Sequence, residues 1–381
     1  MLILEYMIWF FILLIFYIYF GYPTMLWLSS KIFSRKELDL DLQECHPYVT
    51  MFIAAYNEEK VIGEKLQNAL EIDYRQDLFE IIVVSDDSSD RTNEIVELYA
   101  AEHPQVRLQV VKGRKGKTEA LNKSVHLANG EIIVFSDANS MYKPDAVKQL
   151  VKHFSDSAIG GVCGELKLTN PTNSSIGESE GVYWKYERLL KKLETKTGTA
   201  VVANGSIYGI RKSLFKQMNP NVGDDMQNPL IIISQGKRFI YEESAVTIEE
   251  TSSSSSEEFG RKVRIVTRSF TGILSYFRLL NPFKRPEFFF KYLSHKFLRY
   301  LVPYYMIIIF ISSCFLISYM EYAVLLILQI LFYLLALSGK YKKNKLTYVP
   351  YYFCVVNLAA LLGTYRVMTG KRQAVWKPTS R

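Results

Sequence analysis

The sequence is short of cysteine. Its four residues, Cys45, Cys163, Cys314 and Cys354, show neither CxxC nor CxxH spacing, and two lie in apolar runs, so no disulfide framework or zinc site is implied. A phosphate-binding P-loop is also missing. Gly113-Arg114-Lys115-Gly116-Lys117-Thr118 ends like one, but the pattern needs a glycine where Val111 stands. What survives is a basic turn at a helix start, either an anion site or a solvated loop. Charge is absent from four long stretches: 6–30, 300–320, 322–339 and 346–365.

Those uncharged stretches set the class. A helix needs about 20 mostly apolar residues to cross a bilayer. The first two stretches meet that length, the third is marginal, and the fourth is interrupted by Pro350 and Asn357. A buried core helix is the competing reading, weakest for 6–30, where Ile8 to Phe20 is apolar all round. A cleaved signal peptide needs a basic start, whereas Glu5 is the only charge before that run. The expectation is an integral, multi-pass protein of the cell membrane, with the lipid bilayer as a partner.

The net charge is +8. Lys31, Arg35 and Lys36 follow the first stretch, and Lys340, Lys342, Lys343 and Lys345 follow the third. Basic flanks belong on the cytoplasmic side, so the region after residue 30 is expected there. Charges that flank apolar runs do not form an aromatic-interleaved stripe, and no nucleic-acid partner is expected.

Between the membrane stretches, β-type runs alternate with amphipathic helical patterns. Val49–Ala54, Ile81–Ser85, Arg107–Val111 and Ile132–Phe135 read as strands; 58–71, 90–102, 117–129 and 144–154 read as helices. Such alternation predicts an α/β domain with a largely parallel sheet. A second half begins near Gly160, with an amphipathic stretch at 176–194 and a turn at Ala203-Asn204-Gly205. Five serines, Ser252–Ser256, read as a short mobile loop. Phe270–Leu280 and Phe288–Phe290 read as interfacial helices.

Ligands of such sheets bind beyond the carboxyl ends of the strands. The first strand ends in Ala55-Tyr56-Asn57-Glu58-Glu59 and the second in Ser85-Asp86-Asp87-Ser88-Ser89-Asp90. Either these acids cap the following helices or they hold a base, a ribose or a metal. The fourth strand ends in Asp137-Ala138-Asn139, whose two oxygen donors at i and i+2 suit a hard divalent ion shared with a diphosphate, or a turn. Asp224-Asp225 adds a carboxylate pair further on.

In order and spacing these features resemble the family 2 glycosyltransferases with a GT-A fold, from Val49 to about Thr271. Tyr19-Phe20-Gly21-Tyr22-Pro23 and Ser294-His295-Lys296 are similar to the membrane-bound cellulose- and hyaluronan-synthase-like branch. The resemblance implies an α/β GT-A catalytic domain, Rossmann-like in its nucleotide-sugar site, with transmembrane and interfacial helices. Its expected parts are a membrane helix at 1–30, a cytoplasmic catalytic domain at 47–270, interfacial helices at 271–299, membrane helices at 300–366 and a basic tail at 367–381.

The resemblance also assigns roles. Tyr56, Glu58, Asp86 and Lys117 are implied at the donor nucleotide sugar, with Asp87 standing where the family has glycine. Asp137 and Asn139 occupy the Asp-x-Asp metal motif. They imply Mg²⁺ or Mn²⁺, held more weakly because asparagine brings no charge. Asp225 is implied as the base that accepts the acceptor's proton, supported by Asp224. Processive members carry Gln-x-x-Arg-Trp, where this chain has Arg261-Lys262-Val263-Arg264-Ile265. Arg261 and Arg264 are implied at the diphosphate. Loss of the tryptophan makes a single transfer as fitting as polymerisation. Glu165, Asn204 and Gly205 are implied at the acceptor, and Trp376 in a gating segment. Gating needs a cytoplasmic C-terminus, so 346–365 is expected to be re-entrant or interfacial unless the charge rule fails.

The expected activity is therefore inverting transfer from a nucleotide sugar, a UDP-sugar, to a growing exopolysaccharide or a lipid-linked saccharide. Two rivals remain at this stage: single-sugar transfer to polyprenyl phosphate, and a non-catalytic membrane scaffold of polysaccharide synthesis.

Overall fold

The computed structural model describes residues 1–33, 46–169, 176–250, 255–341 and 345–371. Eight strands form one sheet: β1 (Val49–Ala55), β2 (Phe79–Ser85), β3 (Val106–Val110), β4 (Ile132–Asp137), β5 (Met141–Tyr142), β6 (Ile159–Thr169), β7 (Ile207–Arg211) and β8 (Arg238–Glu250). Their order is β3-β2-β1-β4-β7-β6-β8-β5. The period of two sorts side chains to opposite faces. Phe52, Ile82, Val84, Ile133 and Phe135 enter one core, while Met51, Ile53, Ile81, Val83 and Val134 enter the other. Both faces are covered, which is why these strands read as continuous apolar runs.

The expected largely parallel sheet is half right. β1 runs parallel to β2 and β4, and β2 to β3. β7 then lies antiparallel to both β4 and β6, and β5 antiparallel to β8. Hydrophobic patterning marks a buried strand but not its direction, so the reversal at β7 was not readable.

The helices are α1 (Leu2–Phe16), α2 (Tyr22–Ile32), α3 (Ile62–Leu70), α4 (Thr92–Glu102), α5 (Lys117–Ser124), α6 (Ala146–Val151), α7 (Ile176–Lys196), α8 (Asp224–Ser234), α9 (Ser255–Ser275), α10 (Pro286–Tyr292), α11 (Leu298–Phe315), α12 (Met320–Gly339) and α13 (Lys345–Met368). α3 shows the local logic: Ile62, Leu66 and Ala69, at spacings of four and three, form its buried stripe. Four helical stretches are long and apolar enough to cross a membrane: Leu2–Ile32, Pro286–Phe315, Met320–Gly339 and Leu346–Met368.

Several expected boundaries shift. The domain boundary at 270 falls inside α9, a single helix, and the boundary at 300 falls inside the continuous stretch Pro286–Phe315. The expected break in 346–365 is absent. Pro350 lies inside α13, past its first turn, yet the helix runs on through it, and Asn357 donates to the Phe353 carbonyl at 2.9 Å. Of the serine run, Ser252 to Ser254 lie outside the described residues, and Ser255 opens α9 rather than a loop.

Candidate active site

The carboxyl ends of β1, β2 and β4 share one edge because the three strands are parallel and in register. The turns beyond them hold Asn57 and Asp87 at φ 53° and 59°. Asparagine and aspartate tolerate this left-handed region better than other residues with a side chain, which explains how aspartate substitutes for a glycine at 87. Both side chains tie loops together. Asn57 Oδ1 accepts from the Ser89 N–H at 2.8 Å, and Asp87 Oδ2 from the Gly113 N–H at 2.9 Å.

A cavity of about 420 Å³ opens beside these ends. Glu58, Lys117, Asp137, Asn139 and the Asp224–Asp225 pair line its inner wall. Lys117 Nζ lies 2.6 Å from Asp137 Oδ1, 3.5 Å from Asp224 Oδ2 and 3.3 Å from the Gly205 carbonyl. Burial disfavours its charge, but Asp137 and Asp224 outweigh burial and hold the ammonium protonated. Tyr208 donates to Asp224 Oδ2 at 2.8 Å and accepts from Asn228 at 3.0 Å, which fixes Asp224 at the start of α8.

Asp225 has a different environment. Burial and the adjacent Asp224 raise its carboxyl to about 6, against the pull of Lys117 and Arg268. A carboxylate that takes up a proton near neutrality has the property of a general base. The two neighbouring aspartates thus differ in their surroundings: Asp224 accepts from the Tyr208 hydroxyl, while burial and Asp224 itself raise the Asp225 carboxyl.

The opposite wall comes from α9. Arg261, Arg264 and Arg268 follow one another at spacings of three and four, on one helical face lining the cavity. Arg268 donates to Thr118 Oγ1 at 2.7 Å and to the Val222 carbonyl at 2.8 Å. Burial, with Arg268 and Arg261 beside it, lowers the Arg264 guanidinium to about 10. Crowded like charges at a cavity wall favour an incoming anion, which relieves their repulsion.

Not every expected residue reaches the cavity wall. Tyr56 is covered by the Arg114 guanidinium, 4.1 Å from its ring centre. Asp86 accepts from the Lys115 and Gly116 N–H groups at 2.7 and 2.8 Å, so its carboxylate holds the basic turn instead of lining the cavity. Glu165, expected at the acceptor, is buried on Tyr241 Oη at 2.6 Å and on Arg188. Asn204 and Gly205 do line the cavity, with Asn204 Oδ1 accepting from Lys191 at 2.5 Å. Trp376 lies outside the described residues.

Asp137 and Asn139 offer one carboxylate and one amide oxygen on the same wall, and among the described residues no group of three His, Cys, Asp or Glu side chains could hold a metal. The pair fits a divalent ion whose remaining ligands are a diphosphate and water, not a cage made by protein alone. Behind it, buried Lys65 donates to the Ser140 carbonyl, and burial lowers its ammonium to about 7. The sequence reading missed Lys65, Arg268 and Lys191. Only Arg268 carried a signal, its place four residues beyond Arg264.

The cavity continues to the helices of membrane-crossing length, where Tyr19, Tyr352, Val356, Asn357 and Ala360 line it. There α7 is anchored by buried ion pairs. Glu187 meets Lys296 at 3.3 Å, His295 at 3.1 Å and Arg299, while Glu194 accepts from Tyr22 at 2.7 Å and meets His295 at 2.7 Å.

A mixed sheet of this order, with an Asp-x-Asn turn and a carboxylate pair at its edge, belongs to the GT-A class of glycosyltransferase folds. Residues 50–218 match the family model described as Glycosyl transferase family 2, so the chain carries a glycosyltransferase domain of that family. The chain is 26% identical over 224 residues to a probable glycosyltransferase, YdaM, of Bacillus subtilis, covering 54% of this chain and 51% of that protein. It is 32% identical over 156 residues to a beta-monoglucosyldiacylglycerol synthase of Synechocystis, covering 40% of this chain and 32% of that one. The matches thus span about half or less of these curated relatives. A mannosyltransferase from Pyrobaculum calidifontis, solved with GDP-mannose and Mn²⁺, shares the fold at a TM-score of 0.69 and 23% identity, over 94% of this chain and 99% of that one.

Proposed function

We propose that this chain is an inverting membrane glycosyltransferase that moves a sugar from a UDP-sugar to a saccharide carried on a lipid or a growing polysaccharide, at the cytoplasmic face of the cell membrane. One observation carries the reading: a single cavity is lined by Asp225, by the α9 arginines and by side chains of membrane-length helices. The chemistry and a lipid-borne acceptor can meet there. One relative, by its name, makes a monoglucosyldiacylglycerol, a sugar on a lipid, which supports a lipid-borne saccharide as the class of molecule handled here.

In this reading Asp225 accepts the proton of the acceptor hydroxyl as its oxygen attacks the anomeric carbon. The new glycosidic bond forms on the face opposite the diphosphate, and the bond from sugar to phosphate breaks with inversion. Arg264 and Arg261 receive the charge that develops on the leaving diphosphate. Lys117 keeps Asp137 and Asp224 oriented. Asp137 and Asn139 would hold a divalent ion, which would supply further neutralisation of the diphosphate.

Release of UDP across a panel of UDP-sugars, with lipid present, tests this. Release with one sugar names the donor; no release and no nucleotide binding by the wild-type protein favours the scaffold. Metal dependence is a separate expectation. Chelation stops transfer and Mn²⁺ restores it, while Asn139→Asp lowers the half-saturating Mn²⁺ concentration roughly tenfold by adding a charged ligand. A titration of bound Mn²⁺ by electron paramagnetic resonance reads this without turnover.

A further inference from the structure

The position where processive relatives place a stacking tryptophan holds Ile265, half-exposed at the cavity wall. An aliphatic side chain has no π face to offer a sugar. The cavity is nevertheless rich in aromatic rings, supplied from another element. On α7, Trp184, Glu187 and Lys191 are spaced by three and four and form one stripe, and all three line the cavity. Lys191 marks the catalytic end of that stripe through its bond to Asn204, and Glu187 pins its middle to the membrane helices. Trp184 lies two turns from Lys191, about 10 Å along the helix, on the membrane side.

Trp184 is half-buried, yet it belongs to none of the hydrophobic clusters of the described residues. Its ring meets Tyr183 edge-on at 5.9 Å, and Tyr183 meets Tyr352 of α13 at 6.0 Å. Lys262 lies 5.1 Å from the Tyr352 ring centre. On α13, Tyr352, Val356, Ala359 and Ala360 line the same cavity.

We propose that Trp184, backed by Tyr183 and Tyr352, is an acceptor subsite that stacks on a pyranose ring set back from Asp225 toward the membrane. The proposal rests on the glycosyltransfer reading above and adds to it the recognition of an acceptor that already carries sugar. The electron-rich ring face attracts the polarised C–H groups of a pyranose, and the surrounding cations and carboxylates bind its hydroxyls. The ring can come from a glycolipid head group or from the end of a polysaccharide.

Two probes separate these sources in protein held in lipid nanodiscs: octyl glucoside below its micelle concentration, and chitotetraose. Octanol is the sugarless control. The fluorescence of Trp184 is isolated as the difference between the wild type and Trp184→Phe. Binding of either sugar with a saturable change in that difference is expected, with no such change from octanol. By calorimetry, Trp184→Leu is expected to weaken the sugar at least tenfold and Trp184→Phe less than threefold. UDP binding on the same preparations reports that the domain is intact. Equal affinity in wild type and Trp184→Leu, equal response to octanol, or no sugar binding to intact wild type overturns the proposal. The transferase reading fails separately, by absence of UDP release from any UDP-sugar while the sugar still binds.

Discussion

Asp225→Asn cuts sugar transfer by about 10²–10⁴-fold and leaves UDP binding in place. That is the range a general base contributes, and asparagine keeps the shape while removing the proton acceptor. The wild-type rate should fall on the acid side with an apparent pKa near 6, because burial and Asp224 raise the Asp225 carboxyl to about 6 and only its ionised form accepts a proton. The acid limb should vanish in the residual activity of the variant. Stability moves the other way. A folded-state pKa raised above the unfolded value of about 3.9 means that folding loses stability as the pH rises from about 4 to 6, and that the cost persists above 6. The neutral amide of Asp225→Asn carries no such cost, so the variant should melt higher than wild type at pH 8. Full transfer by Asp225→Asn, or a variant that is inactive because it is unfolded at pH 8, would sink the assignment.

Much of this site was legible because it sits where chain direction and chemistry coincide. Asp137 and Asn139 end a strand whose Ile-Ile-Val-Phe run announces burial, and the fold carries them to the same edge as Glu58. Asp224-Asp225 opens a helix, and nothing local separates the two acids. Their different partners include Tyr208, which holds Asp224 and stands seventeen residues away from Asp225 on β7, a strand whose reversed direction the pattern does not encode. The contacts of Tyr56 and Asp86 were not legible for a related reason. The two residues sit at the expected strand ends, but the turn 113–116 folds back over both, with Gly113, Arg114 and Gly116 all at positive φ. Such loop conformations are set by contacts between segments. Glu165 shows the same limit: the resemblance implies it at the acceptor, and its partners Tyr241 and Arg188 are remote in sequence.

Glu187→Ala should destabilise the protein by about 3–5 kcal/mol, the cost of removing one partner of a buried ion cluster. Glu187 is almost fully buried at the junction of α7 with the membrane-length stretch Pro286–Phe315. Burial alone would push its carboxyl up, but Lys296, Arg299 and His295 outweigh it and hold it well below the usual carboxylate range. Alanine would leave three cationic or polar groups facing one another without a counter-charge. Because the folded-state value is depressed, this stabilisation is present above an unfolded carboxyl value of about 4.3 and is lost as pH falls below it. Thermal unfolding in nanodiscs at pH 7.5 measures the loss. The double replacement Glu187→Met with Arg299→Met should cost less than either single change, since a pair removed together strands fewer charges. Additive single effects would mean that the two groups do not depend on one another. The consequence for function follows from helical spacing. Trp184 and Lys191 stand three residues before and four after Glu187 on the same stripe, so a loosened α7 moves both of these cavity-lining side chains at once. In the fraction of Glu187→Ala that remains folded, the acceptor KM should therefore rise while UDP binding, which depends on the β-strand ends and α9, changes little.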